Sequence, residues 1–257
     1  MSEIRRAVVL FPLAVCLSLS ACKSGPTSSS PDDAALLKRK AGHIEGLLAR
    51  RDQAAGVLDA LIKALPQGAW LTEAAYDTGK VRANGIAPSN IMLADYILRL
   101  GRSQALGSVN LTSSTIRMVR GQAWVAFAFE AGAHEAGTMS APSETPSAAH
   151  VAKLEKSLPP RPDSAGVLRD FQRLASDAGL QLGQLASGAE VAGEFTASLP
   201  VMIEVSGGGT GVAEFLHGAA ELPGLWIVEK FSCKAAPADD PRAPVRAAIT
   251  AKAYFPK

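Results

Sequence analysis

Apolar positions recur in two rhythms along this chain. Between residues 33 and 65 they follow an alternating 4,3 spacing. Leu37, Ile44, Arg51, Leu58 and Leu65 form one line, and Ala41, Leu48, Ala55 and Ile62 form a second. This is the spacing of a helical seam, so the segment predicts one long helix started by Pro31-Asp32-Asp33. Its seam residues Leu37, Ile44, Leu48 and Leu58 fit two uses: pairing in a coiled coil, or packing on the chain's own domain. Ala41 and Ala55 are short knobs and Arg51 interrupts the line, so both uses stay open. Leu65-Pro66-Gln67-Gly68 ends the helix.

Beyond residue 68 the rhythm shortens to strand period and then alternates between the two. Strands are predicted over 69–77 and 80–86 around the Asp77-Thr78-Gly79 turn. Ser89 caps a helix with Leu93, Tyr96, Ile97 and Leu100 on one face. Strands follow over 105–119 and 122–131, the second apolar on both faces from Trp124 to Phe129, as a central strand would be. Residues 132–149 are rich in Ala, Gly, Ser, Thr and Pro and read as a linker. A short helix over 150–158 leads into Pro159-Pro160-Arg161-Pro162, a stiff spacer.

The second half repeats the first. Ser164 caps a helix carrying Val167, Leu168, Phe171 and Leu174, and a strand over 180–185 follows. Residues 186–197 form an irregular excursion before a strand over 199–206. Thr210 caps a helix carrying Val212, Phe215 and Leu216, and strands over 225–233 and 245–255 finish the chain. The order is helix-strand-strand, four times. Leu65-Pro66-Gln67-Gly68-Ala69-Trp70 and Leu222-Pro223-Gly224-Leu225-Trp226 join helix to strand in the same way. The fold class expected is α+β. Two tandem permuted ferredoxin-like domains, each αββαββ with two helices on one face of an antiparallel sheet, follow the long helix. The expected divisions are 1–21 signal peptide, 22–31 tether, 32–131 first domain with its helix, 132–163 linker and 164–257 second domain.

The N-terminus changes the picture. Arg5 and Arg6 precede an apolar run over 7–19, which ends in Leu19-Ser20-Ala21-Cys22. Cations, a short apolar centre and a small-residue exit describe an export signal. The run is short of the roughly 20 apolar residues that span a bilayer. A Cys at that exit resembles the lipobox of bacterial lipoproteins, which implies cleavage before Cys22 and acylation of it. The chain is then expected in the cell envelope, lipid-anchored to a membrane and facing the periplasm. The formal charge of +2 falls to +1 once Arg5, Arg6 and Glu3 are removed. With no basic stripe interleaved with aromatics, nucleic acid is excluded as a partner. Of three cysteines, Cys16 lies in the signal and Cys22 is the anchor, which leaves Cys233 without an intrachain disulfide partner.

Two family resemblances rest on particular residues. The stretch from Val57-Leu58-Asp59-Ala60-Leu61 through Leu65-Pro66-Gln67-Gly68-Ala69-Trp70-Leu71-Thr72, then Gly85, Ser89-Asn90 and Val109-Asn110-Leu111-Thr112-Ser113, resembles the exported part of the PilN family of type IV pilus assembly proteins. Leu199-Pro200-Val201-Met202-Ile203-Glu204-Val205-Ser206-Gly207, Phe215-Leu216, Leu222-Pro223 and Ile249-Thr250-Ala251-Lys252-Ala253-Tyr254 resemble the PilO family of the same system. The resemblance implies a structural subunit of a type IV pilus, or of a related type II secretion machine. Its implied partners are other assembly subunits, an outer-membrane pilotin-like lipoprotein and a secretin, and homo- or heterodimers. The chain departs from both families in carrying a lipobox where they carry a spanning helix. It also lacks the Ile-Asn-Leu-Leu-Pro-like stretch through which PilN meets an actin-like partner, and the coiled coil before its PilO-like half is reduced to 150–158. The alternative reading is a free-standing envelope lipoprotein that holds a peptide or small ligand between its two domains.

Candidate chemistry is sparse. Asp32-Asp33 and Asp239-Asp240 read as a helix start and a solvated loop, since adjacent loop carboxylates do not hold a catalytic separation. His43, His134, His150 and His217 fall in different elements, and His134-Glu135 lacks the second His of a zinc helix. The glycines over 207–211 lack the Lys of a phosphate cradle. Cys233 has no His near it in sequence and reads as a half-buried strand thiol. Lys38-Arg39-Lys40 reads as a solvated flank, or as a headgroup contact near the tether. The chain is therefore expected to be no enzyme, with no catalytic residue, no metal and no cofactor.

Overall fold

The architecture was established from a computed structural model that describes residues 31–119, 121–134, 146–237, 240 and 242–257. The expected signal peptide, Cys22 and residues 135–145 of the expected linker lie outside these residues.

The elements follow the predicted order. Helices α1 (Pro31–Ala49) and α2 (Gln53–Lys63) precede the hairpin β1 (Trp70–Asp77) and β2 (Lys80–Ala87). Helix α3 (Asn90–Gly101) precedes β3 (Leu106–Val119) and β4 (Gln122–Ala133). After α4 (Ala148–Ser157) come α5 (Ser164–Asp177), β5 (Gln181–Ser187), the two-residue β6 (Val191–Ala192) and β7 (Thr196–Gly207). Helix α6 (Gly209–Glu221), β8 (Leu225–Ala235) and β9 (Val245–Pro256) complete the chain.

Local signals account for these boundaries. The Ser89 hydroxyl accepts from the Met92 N–H at 3.3 Å and starts α3. Thr78 and Gly79, with φ of 44° and 88°, turn β1 into β2 through the left-handed region. Two expected caps differ. Asp163, not Ser164, caps α5, its carboxylate accepting from the Ala165 and Gly166 N–H groups. Gly208, not Thr210, stands at the start of α6, with no side-chain cap. The excursion before β7 contains β6, which pairs Val191 with Ser198 and Ala192 with Ala197.

Within each half the strands order alike. The first half reads β3-β4-β2-β1 and the second β8-β9-β7-β5, so each half places its third strand at one side and its first at the other. Both are α-β-β-α-β-β. The halves are not separate sandwiches. Strand β1 pairs antiparallel with β8, and one nine-stranded sheet runs through both. A single core continues across the junction, from Leu61, Tyr96 and Phe129 to Phe171, Phe215 and Phe231. The physical reason is economy of edges: each half alone would expose two edge strands, and pairing β1 with β8 removes one from each.

The predicted helix over 33–65 is two helices. The chain turns at Arg50, Arg51 and Asp52, and the two pieces serve opposite faces of the sheet. Helix α2 joins α3, α5 and α6 over the main core through Val57, Leu58 and Leu61. Helix α1 crosses the other face, where Ile44 and Leu47 pack with Leu158, Leu225 and Ile227. Leu225 and Ile227 alternate with Trp226 and Val228, so the start of β8 is buried on both faces. The main core is aromatic. Tyr96 lies 5.8 Å from Phe127 and 5.9 Å from Phe129, with its hydroxyl donating to the Leu61 carbonyl at 3.1 Å. Phe171 meets Trp226 edge-on at 5.0 Å.

Candidate interaction site

The β1–β8 junction is built from alternation. On the core face Tyr76 stacks on Phe231, with centroids 5.6 Å apart, a contact worth about 0.5–1.5 kcal/mol beyond its buried area. On the outer face acids of β1 oppose bases of β8. Asp77 pairs with Lys230 at 2.9 Å and Glu73 with Lys234 at 3.2 Å. Lys230 and Thr78 donate hydrogen bonds to Asp77 and hold its carboxyl below the usual range. The Thr78 N–H donates to the Glu229 carbonyl at 3.0 Å, at the β8 irregularity between Val228 and Lys230. These charges were missed at the sequence level. Their signal was present: acids four apart on one strand and bases four apart on another.

Arg51 is the second junction element. It breaks the helical seam because its guanidinium leaves the helix line for the end of α6. There Nε donates to the Ala220 carbonyl and Nη2 to the Leu222 carbonyl. A helix end presents unpaired carbonyls and partial negative charge, and a cation satisfies both.

The seam residues pack inside this chain. Ile44 is fully buried under α1, Leu48 packs beside it, and Leu58 lies in the main core. Leu37, nearly two turns from the helix start, is half-buried. Helix α1 runs antiparallel to α4, with Lys40 paired to Glu155 and Glu45 to His150 at 3.2 Å. At its other side His43 meets the Thr196 hydroxyl at 3.1 Å, and Arg39 pairs with Glu194 at 3.2 Å and lies over the Phe195 ring. Burial lowers the His43 pKa, helped by the charge of Arg50 and opposed by Glu194.

The remaining candidates stay apart. His43, His134, His150 and His217 lie on α1, after β4, on α4 and on α6. Among the described residues no group of three His, Cys, Asp or Glu side chains is placed to hold a metal. Asp32 and Asp33 sit in the first turn of α1. Asp240 accepts from the Arg242 N–H, and Asp239 lies outside the described residues. Gly211, after β7, serves packing, since a Cβ there would lie 2.6 Å from the Ala178 carbonyl oxygen. Cys233 is buried in β8, and burial pushes its thiol up to about 12, away from nucleophilic use. A cleft between the halves is lined mainly by Leu58, Ile62, Leu65, Trp70, Val212 and Val245. Among the described residues no helix is long and apolar enough to cross a membrane.

Two α-β-β-α-β-β units thus share one sheet, with acids of one half paired to bases of the other across their junction. Comparison with known families gives each unit its kin. Residues 56–132 match the family model of the fimbrial assembly protein PilN. Residues 163–256 match that of the type IVa pilus alignment subcomplex PilO C-terminal domain. The chain thus matches these two family models in tandem. The type IV pilus inner membrane component PilO of Pseudomonas aeruginosa is 32% identical over 102 residues, which cover 39% of this chain and 48% of that protein. The chain therefore matches about half the length of this relative. The crystal structure of the type 4 fimbrial biogenesis protein PilO from Pseudomonas aeruginosa covers 41% of this chain and 77% of its own, at 30% identity and a TM-score of 0.37. The core region of the same protein covers 38% and 95%, at 30% identity and a TM-score of 0.33.

Proposed function

We propose that this chain is a non-enzymatic scaffold subunit of the type IV pilus, or of a related type II secretion machine, that carries PilN-like and PilO-like roles in one polypeptide. The observation that supports this reading is the tandem match, 56–132 to PilN and 163–256 to PilO, on halves fastened by β1 and β8. Fusion replaces an association between two chains by an intramolecular contact at high effective concentration. Helix α1 then needs no coiled-coil partner from outside, since α4 and the back of β8 occupy its seam.

The chain sits in the cell envelope, held by acyl chains on Cys22 and facing the periplasm. Each buried methylene of such a chain adds about 0.8 kcal/mol to membrane binding. Its partners are other pilus or secretion subunits, among them a pilotin-like lipoprotein and a secretin.

Cross-linking in intact cells, followed by purification of the full chain from membranes, tests the role. Recovery of pilus or secretion components is expected, and their absence from repeated purifications sinks the proposal. A Cys22→Ser chain that stays in the membrane pellet would refute the lipid anchor separately.

A further inference from the structure

We propose that α1 is a releasable strap. Under tension from its N-terminal side it unzips from the back of β8 as far as Arg51 while the sheet stays folded, and so lengthens the link between the membrane anchor and the body. The use of this device rests on the proposed anchor at Cys22. Its existence does not, and the two are tested separately.

The hold on α1 is graded along its length. Among residues 32–40 none is buried. That stretch is held by Arg39 on Glu194 and Lys40 on Glu155, and the first of these pairs is more than half exposed on both sides. Exposed ion pairs contribute little. The buried positions, Ala41, Ile44 and Leu47, all come later, toward the pivot. A pull at Pro31 therefore meets the weakest contacts first and breaks them in turn, instead of shearing the whole contact at once.

The pivot is built to stay. The chain turns at Arg50, Arg51 and Asp52, and Arg51 is fastened to the Ala220 and Leu222 carbonyls at the end of α6. Just beyond, Ala54, Ala55, Val57, Leu58 and Leu61 bury α2 in the main core. A release that starts at the tether thus ends at Arg51.

The body does not depend on the strap. Among the described residues the main core takes no side chain from α1 or α4. The separate cluster under α1 reaches the sheet through Leu225 and Ile227, so the sheet loses little when α1 leaves. Few buried apolar contacts and solvated ion pairs are the marks of a segment that opens well below the global unfolding limit.

The helix itself is loose. Gly42 and Gly46 lie in its interior, both exposed, and a Cβ at either would meet nothing within 4 Å. Packing gives no reason for glycine there, and each weakens the helix relative to alanine. Once off the sheet, a helix of 19 residues with two such positions is marginal in water. The segment spans about 28 Å as a helix and roughly 65 Å when drawn out.

Amide exchange on the detergent-solubilised full chain reads the strap independently of the anchor. Peptides from α1 should exchange at least roughly a hundredfold faster than those from β7 and β9. Gly42→Ala combined with Gly46→Ala should slow exchange in α1 about tenfold. Gly56→Ala in α2, where a Cβ is equally free, should leave α1 unchanged. Optical tweezers with handles at the two ends of the chain should record a first extension of about 40 Å, the drawn-out length less that of the helix, before the sheet unfolds. A short bis-maleimide bridge between Arg39→Cys and Glu194→Cys should abolish that step. An α1 that exchanges in step with β7 and β9 overturns the inference. So does a sheet that unfolds before any such extension, or a double glycine variant whose α1 exchanges as in wild type.

Discussion

Asp77 and Lys230 lie 153 residues apart in sequence and 2.9 Å apart in space, each at the edge of its own half. Together with Glu73 and Lys234 they fix the register in which β1 meets β8. Both side chains are solvated, so the pair sets alignment more than stability. Because its folded pKa is depressed, Asp77 stabilises the fold above the ordinary carboxylate range and loses that contribution as pH falls through the folded value. Urea midpoints measured from pH 7 down to pH 2 should fall less steeply on the acid side for Asp77→Asn than for wild type. Lys230→Glu should lower the midpoint at neutral pH and low salt, and Asp77→Lys in the same chain should restore it. A restored midpoint that does not shrink with added salt would contradict this account.

Arg51 holds α6 from outside. Replacing it by Ala leaves the Ala220 and Leu222 carbonyls without their donor, at a cost of about 1–3 kcal/mol. Arg51→Lys should recover part of this, since the charge remains and the fork is lost. Urea unfolding gives the cost. Amide exchange should show the last turn of α6 opening first in the Ala variant, whereas uniform loss of protection would point elsewhere.

Gly85 illustrates what period alone does not reveal. A Cβ there would lie 2.7 Å from the Trp70 carbonyl oxygen and overlap the Phe127 ring, and a backbone atom cannot give way as a side-chain tip can. Gly85→Ala should therefore destabilise by about 1–3 kcal/mol, the usual range for overpacking. A thermal melt equal to that of wild type would show the contact to be softer than the geometry implies.

Most elements were legible because each rests on local chemistry. The 3.6 period of Leu93, Tyr96 and Leu100, the Ser89 cap and the Thr78-Gly79 turn all act within a few residues. What escaped was non-local. The break at Arg51 depends on a helix end 169 residues later, so a continuous 4,3 pattern concealed it. Pairing of β1 with β8 likewise depends on charges that look like ordinary solvated faces in isolation. The joining of the two halves in one sheet was hidden for that reason, although the strand order of each half follows from its helix-strand-strand repeats. Of the seam, the residue types were legible and the occupant was not: Ile44 and Leu48 suit a foreign helix as well as α4 and β8.

Ile44 separates those two occupants. It is fully buried with Leu47 against Leu225 and Ile227 in a cluster distinct from the main core. If the seam is filled from within, Ile44→Ala removes buried methyl groups from a closed site and costs about 2–5 kcal/mol in the isolated chain. The loss should be local before it is global. Helix α1 should become sensitive to protease while β7 and β9 keep their amide protection, because the core under α2, α3, α5 and α6 is untouched. Leu37→Ala, at a half-buried position near the helix start, should cost less than half as much. An Ile44→Ala chain that unfolds at the same urea concentration as wild type would mean that the seam is filled by another molecule.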